Sequence, residues 1–115
     1  MIVSHIDNIE QTAMLGPGVE KAWKRVCISP KEGWDGYVMR VFELESGGKA
    51  PLHAHPWPHI NYFLSGKGVV TISGVDHEVE AGSFSYIPAD SIHQIKNRGE
   101  EVFRFICIVP EEGEG

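Results

Sequence analysis

The sequence predicts an all-β fold, a jelly-roll barrel or sandwich, and two observations carry that expectation. No stretch shows a long amphipathic helical period; short runs rich in Val, Ile, Phe and Tyr recur instead. Compact turns separate them: Ser65-Gly66-Lys67-Gly68, Ser73-Gly74-Val75, Ala81-Gly82 and Asn97-Arg98-Gly99-Glu100. Many short strands joined this closely need two packed layers, and closing the layers removes edges that would otherwise pair with other chains.

In chain order the expected strands are residues 24–29, 36–45, 50–54, 59–64, 68–73, 76–80, 83–87, 92–96 and 101–109. Residues 7–20 have room for a helical turn, which Gly16-Pro17-Gly18 would end. In the last strand Phe103, Phe105, Cys107 and Val109 share one face, and Val102, Arg104, Ile106 and Ile108 share the other. Arg104 belongs on the wetter, outer face, which turns Phe105 and Cys107 inward. Tyr62 and Phe63 alternate, and Phe63 has the parity of His59.

A chain of 115 residues fits one domain, expected over 1–110 with its core in 22–110, and residues 111–115 read as an acidic disordered tail. Two cysteines without a C-x-x-C pair make neither a disulfide framework nor a zinc finger, and a reducing cytoplasm is the simplest compartment. The N-terminal stretch has no basic region followed by an apolar run, so no secretory signal is expected. The most apolar segment, 102–109, is short and carries Arg104, so no membrane partner is expected. A net charge of −6 disfavours tracking a phosphate backbone, so nucleic acid is excluded as a bulk electrostatic partner.

Of six histidines, four fall in two ordered segments. The first is Gly47-x5-His53-x-His55-x3-His59-x6-Gly66, the second Gly82-x5-Pro88-x-Asp90-x2-His93-x3-Asn97. Two residues apart on a strand, His53 and His55 point to one face. Pro56-Trp57-Pro58 then breaks the strand, and the bend lets His59 return to that face. His93 arrives from another strand behind a proline turn. Isolated histidines such as His5 and His77 are ordinary surface or packed residues, but four converging imidazoles left without ligand would each need a hydrogen-bond partner. The expectation is one divalent transition metal on His53, His55, His59 and His93.

These two segments resemble the cupin superfamily motifs, G-x5-H-x-H-x3,4-E-x6-G and G-x5-P-x-G-x2-H-x3-N, over residues 47–97, with 15 residues between Gly66 and Gly82. Here His59 replaces the usual glutamate and Asp90 replaces the second-motif glycine, a position where aspartate tolerates the turn. The string from His53 to His59 is similar to small single-domain bacterial cupins with a four-histidine, manganese-type site. The resemblance implies the cupin double-stranded β-helix, a homodimer and one metal per subunit. It favours manganese or iron, with nickel, copper and zinc as alternatives.

Four imidazoles complete a tetrahedral zinc but leave two positions on an octahedral ion. Without the carboxylate the ion keeps its full charge, which favours an anionic ligand, and the site lacks an inner-sphere general base. Arg40 either faces the pocket to hold an anion or pairs at an interface. Trp57 forms a lip over the metal or caps the core, and Phe63, Phe105 and Cys107 line the pocket or are plain core. The functional expectation is a metal-dependent oxidoreductase of the dioxygenase or oxidase kind acting on a small organic molecule. Its rivals are a non-catalytic binding or sensing protein and a barrel in which the metal is structural.

Overall fold

The computed structural model describes residues 1–114. Its strands are β1 (Thr12–Ala13), β2 (Glu20–Ile28), β3 (Tyr37–Lys49), β4 (His59–Ser65), β5 (Lys67–Ile72), β6 (Val75–Glu80), β7 (Phe84–Ile87), β8 (His93–Asn97) and β9 (Phe103–Pro110). They pair antiparallel in the order β6-β5-β8-β3-β9-β4-β7, with β2 also against β3 and β1 against β2, and form a nearly closed barrel with the cupin jelly-roll fold.

β3 is long enough to belong to both walls. Residues from Met39 to Leu44 pair with β2 on one side and β9 on the other, whereas Lys49 pairs with Lys96 of β8. The corner between them is made by Gly47 and Gly48. Gly47 sits at φ +81°, in the left-handed region, and a Cβ on Gly48 would lie 2.7 Å from the Glu45 carbonyl oxygen and 2.8 Å from that of Lys21. Only glycine lets the backbones approach this closely while the strand turns.

The inner face follows the period-two pattern. Phe63, Phe103, Phe105 and Cys107 are fully buried, and the Phe63 ring stacks on Phe103 at 5.3 Å and leans on Phe105 at 5.2 Å. Arg104 faces out, as its parity requires. There its Nε donates to Glu43 at 2.9 Å, and Arg25 Nε donates to the same carboxylate at 2.7 Å.

Four local expectations need correction. Residues 50–54 are not a strand: Pro51 has no N–H, Leu52 N–H bonds to the Pro17 carbonyl at 2.9 Å, and only His53 forms a bridge, to His93. The helical turn lies at Ile6–Asn8, and a second one at Pro30–Glu32 was not foreseen, although Ser29 and Glu32 form a capping box around it. β2 begins at Glu20, ahead of the expected start, and β1 pairs with it at Trp23 and Lys24. The acidic tail is ordered through Glu114, with a 3-10 turn at Glu111–Gly113 and ion pairs from Glu114 to Lys24 and Arg40; residue 115 lies outside the described residues. The buried Arg40 and the half-buried Lys24 hold a carboxylate that composition alone assigned to solvent. Among the described residues, no helix is long and apolar enough to cross a membrane.

Among the described glycines the closest approach is at Gly68 of β5, where a Cβ would fall onto the buried Phe103 ring and within 2.6 Å of the Lys96 carbonyl oxygen. Gly68→Ala should therefore destabilise the chain by about 1–3 kcal/mol through overpacking. Urea denaturation checks this; an unchanged midpoint would mean that the Phe103 ring yields freely.

Candidate metal centre

His53 and His93 are joined through their backbones. Each N–H donates to the other's carbonyl, at 3.1 and 3.0 Å. This two-way bridge fixes the spacing of two imidazoles from segments forty residues apart in sequence. The Pro88–Ser91 turn is tied to the first segment as well, since Asp90 N–H donates to the His55 carbonyl at 2.7 Å. Asp90 takes φ +66°, the left-handed conformation a glycine would supply, and aspartate is among the few residues that accept it.

The donor atoms of His53, His55 and His93 all lie within 4.8 Å of one another. His59, at the start of β4, places its Nε2 3.0 Å from Nε2 of His93. Two imidazoles bound at right angles with metal–nitrogen bonds of ~2.1 Å would be separated by roughly this distance. The rings are also oriented from behind. His55 Nδ1 lies 2.7 Å from the Trp57 carbonyl oxygen, and His93 Nδ1 lies 2.8 Å from that of Ser91. A carbonyl can only accept, so in each neutral ring Nδ1 carries the proton and Nε2 presents its lone pair inward.

Burial, reinforced by neighbouring imidazoles and Arg40, pulls His53 down to about 4 and His59 down to about 2. His93 is lowered too, by burial, against the opposing pull of the Ser91 carbonyl. Burial thus favours the neutral form of His53, His59 and His93, the state in which imidazole binds metal. Behind His59, the Cys107 sulfur lies 3.4 Å from Nδ1. Burial keeps this thiol above its ordinary pKa despite the adjacent Arg40 guanidinium, so it stays protonated. In the metal-free ring system the S–H donates to His59 Nδ1, and His59 Nε2–H donates to His93. Ligation through Nε2 requires the other His59 tautomer, with Nδ1–H turned to the sulfur. The donor set therefore fits a transition ion.

The histidines open onto a cavity of about 420 Å³. Arg40 faces into it: β3 pairs Arg40 with Cys107, and Nη2 donates to Sγ at 3.1 Å, which decides against the interface alternative. Trp57 is part of the wall, stacked on His55 at 4.8 Å and 10°. Cys107 also lines the cavity. Phe63 and Phe105 do not; they form the aromatic core, and Phe42, two residues along β3 from Arg40, takes the wall position instead. Sequence reasoning missed Lys24, Met14, Ile95, Glu112 and Glu114, all of which line the cavity. Lys24 had a signal: it alternates with Ala22 and Val26, so its parity is that of an inward face. Nothing local marks Glu114.

A jelly-roll barrel with imidazoles converging on its inner wall defines the class of fold and site. The chain belongs to the cupin domain family Cupin_2, which matches residues 40–109. Among curated proteins it is similar to the dimethylsulfoniopropionate lyase DddW of Ruegeria pomeroyi, 34% identical over 74 residues, covering 64% of this chain and 49% of that protein. An uncharacterized protein of Methanocaldococcus jannaschii is 36% identical over 62 residues, covering 53% of this chain and 50% of that one. The chain thus spans about half the length of the curated relatives it matches. Among solved structures, the polyketide cyclase RemF of Streptomyces resistomycificus superposes with TM-score 0.89 at 26% identity, over 96% of this chain and 80% of RemF. A Thermotoga maritima protein described as a predicted oxalate decarboxylase shares the fold, with TM-score 0.84 at 23% identity over 95% and 98%.

The lowered histidines make the metal-free chain acid-sensitive. The unfolded chain binds protons at about 6.5 that the folded chain refuses down to about 4 at His53. Stability should thus fall as pH drops below ~6.5. Urea midpoints between neutral pH and pH ~4.5 should decline less steeply in His53→Gln than in the unaltered chain, and equal slopes would contradict the assignment.

Proposed function

We propose that this chain is a metal-dependent cupin enzyme in which His53, His55, His59 and His93 hold one divalent transition ion, with manganese favoured, beside a cavity that takes a small organic anion. The carrying observation is the convergence of the imidazoles, with two of their Nδ1 atoms set against carbonyl oxygens. When bound, the ion supplies Lewis-acid stabilisation of a carbonyl or enolate oxygen.

The chain's own groups do the rest. Arg40 and Lys24 put positive charge on the cavity wall, where it orients an anion. Phe42, Ile95, Met14 and Trp57 exclude water, which strengthens each charge interaction inside. Cys107 holds a proton at Sγ, within reach of His59 Nδ1. With no carboxylate among the four histidines, proton abstraction falls to a group outside the ligand set. The names of two relatives, a lyase and a cyclase, favour bond rearrangement without net oxidation. The oxidoreductase reading is the second one, favoured by the apolar wall of Phe42, Ile95 and Met14 next to the histidines, a surface suited to dioxygen. Homodimerisation is part of the proposal too. On the outer face Ile60 pairs with Tyr86 and Tyr62 with Phe84, and all four are exposed, an apolar patch suited to a second copy.

Elemental analysis with electron paramagnetic resonance on remetallated protein should find about one ion per chain and stoichiometric binding lost in His93→Ala. Equal metal content in the two proteins would refute the site. Turnover of enolisable acids under argon supports rearrangement, coupled oxygen uptake supports the second reading, and binding without turnover across the panel makes the protein a sensor. Light scattering should give twice 12.8 kDa, and a mass of one chain would refute the dimer.

A further inference from the structure

Two cations face the interior of this barrel, and the chain's own carboxylate sits on both. Lys24 on β2 and Arg40 on β3 come from adjacent strands: Lys24 is paired with Phe42, and Arg40 with Val26, so the two side chains are diagonal neighbours on the inner face. Glu114 Oε2 accepts from Lys24 Nζ at 2.6 Å, and Oε1 accepts from Arg40 Nη1 at 3.2 Å. Arg40 is only 8% exposed, lies 4.7 Å from the Phe42 ring centroid and leaves its buried Nε without a partner. An inward-facing Arg–Lys pair on an apolar wall carries a desolvation cost that an anion must offset.

The segment that supplies the anion is held at few points. Glu111 and Glu112 are exposed, Gly113 lies against Trp57 and Val109, and the Arg40 Nη1 contact to the Gly113 carbonyl is long, at 3.5 Å. Gly113 fits closely: a Cβ there would be 2.7 Å from Trp57 Nε1. Trp57 stacks on His55, and Arg40 reaches His59 through Cys107. The Glu114 position is therefore linked to the imidazole cluster along two short paths within one cavity.

We propose that Arg40 and Lys24 form the carboxylate subsite of this cavity, and that Glu114 occupies it as an internal stand-in until a substrate carboxylate displaces it. The substrate class is then a small organic acid with a carboxylate for Arg40 and Lys24 and a second oxygen function directed to the histidines. The second half rests on the metal reading above; the subsite itself does not. Displacement frees Gly113 from Trp57 while the Glu111 N–H stays on the Gly36 carbonyl, so Glu114 acts as a competitor tethered to the site, and the apparent affinity for a substrate is reduced by the fraction of time Glu114 is seated.

The test uses the full chain, stripped of metal and dialysed free of chelator, with malonate as the probe. Malonate should shift the amide resonances of Gly113 and Glu114 and the indole N–H of Trp57. Glu114→Gln should bind malonate ~10-fold more tightly than the unaltered chain, because the tethered competitor is gone. Adding Lys24→Gln to that variant should weaken binding by ~10-fold, because half of the subsite is lost. Glu114→Gln binding no more tightly than the unaltered chain, or a saturating probe that leaves Gly113 and Glu114 unmoved, overturns the proposal. Since no metal is present, failure here is separate from failure of stoichiometric metal binding in the His93→Ala comparison.

Discussion

The reciprocal backbone pairing of His53 with His93 is the interaction on which the site depends. It is a single antiparallel bridge outside the regular strands, yet it joins the two histidine segments. Two imidazoles on independent loops would sample many separations. Two imidazoles on paired backbones are held to one, at no cost in side-chain hydrogen bonds. Everything near the cluster adds to that constraint: the Asp90 N–H on the His55 carbonyl, and the Trp57 and Ser91 carbonyls behind the rings.

The chemistry of the cavity follows from the charge that the histidine set lacks. A glutamate at position 59 would have placed a negative group in the cluster. With His59 there, the histidine set itself carries no carboxylate, and Arg40 and Lys24 put cations on the wall beside it. Burial then favours the neutral form of His53, His59 and His93, because a further positive charge beside Arg40 would be costly. The Cys107 thiol sits between the two regions and touches both Arg40 and His59. An interior of this kind attracts anions, and the chain has already placed one of its own carboxylates there.

Strand parity explains how a barrel of modest size builds such a wall. β9 carries Cys107 and β3 carries Arg40 at opposite ends of the same cross-strand pair, and two pairs along, on the same face, lie Phe105 and Phe42. Polar and aromatic layers therefore stack along the barrel axis, with the histidines and cations above and the phenylalanine core below. The split between Phe42 in the cavity wall and Phe105 in the core arises two pairs from Arg40. Period-two alternation cannot resolve that difference, because both residues are correctly read as facing inward.

By itself the sequence determined the all-β class, most strand positions, the outward Arg104 and the grouping of histidines by motif. These depend on local periodicity, turn residues and spacing, which act over a few residues. Tertiary structure decided the rest: that 50–54 contributes a single bridge, that Arg40 turns inward, that Phe63 and Phe105 are core, and that Lys24 joins the cavity. It also decided that the acidic end folds back onto Arg40 and Lys24. The reason is desolvation. A buried Arg40 and a half-buried Lys24 on neighbouring strands need a counter-charge, and which carboxylate supplies it depends on where the chain returns in space, a distance of ninety residues along the sequence between Lys24 and Glu114.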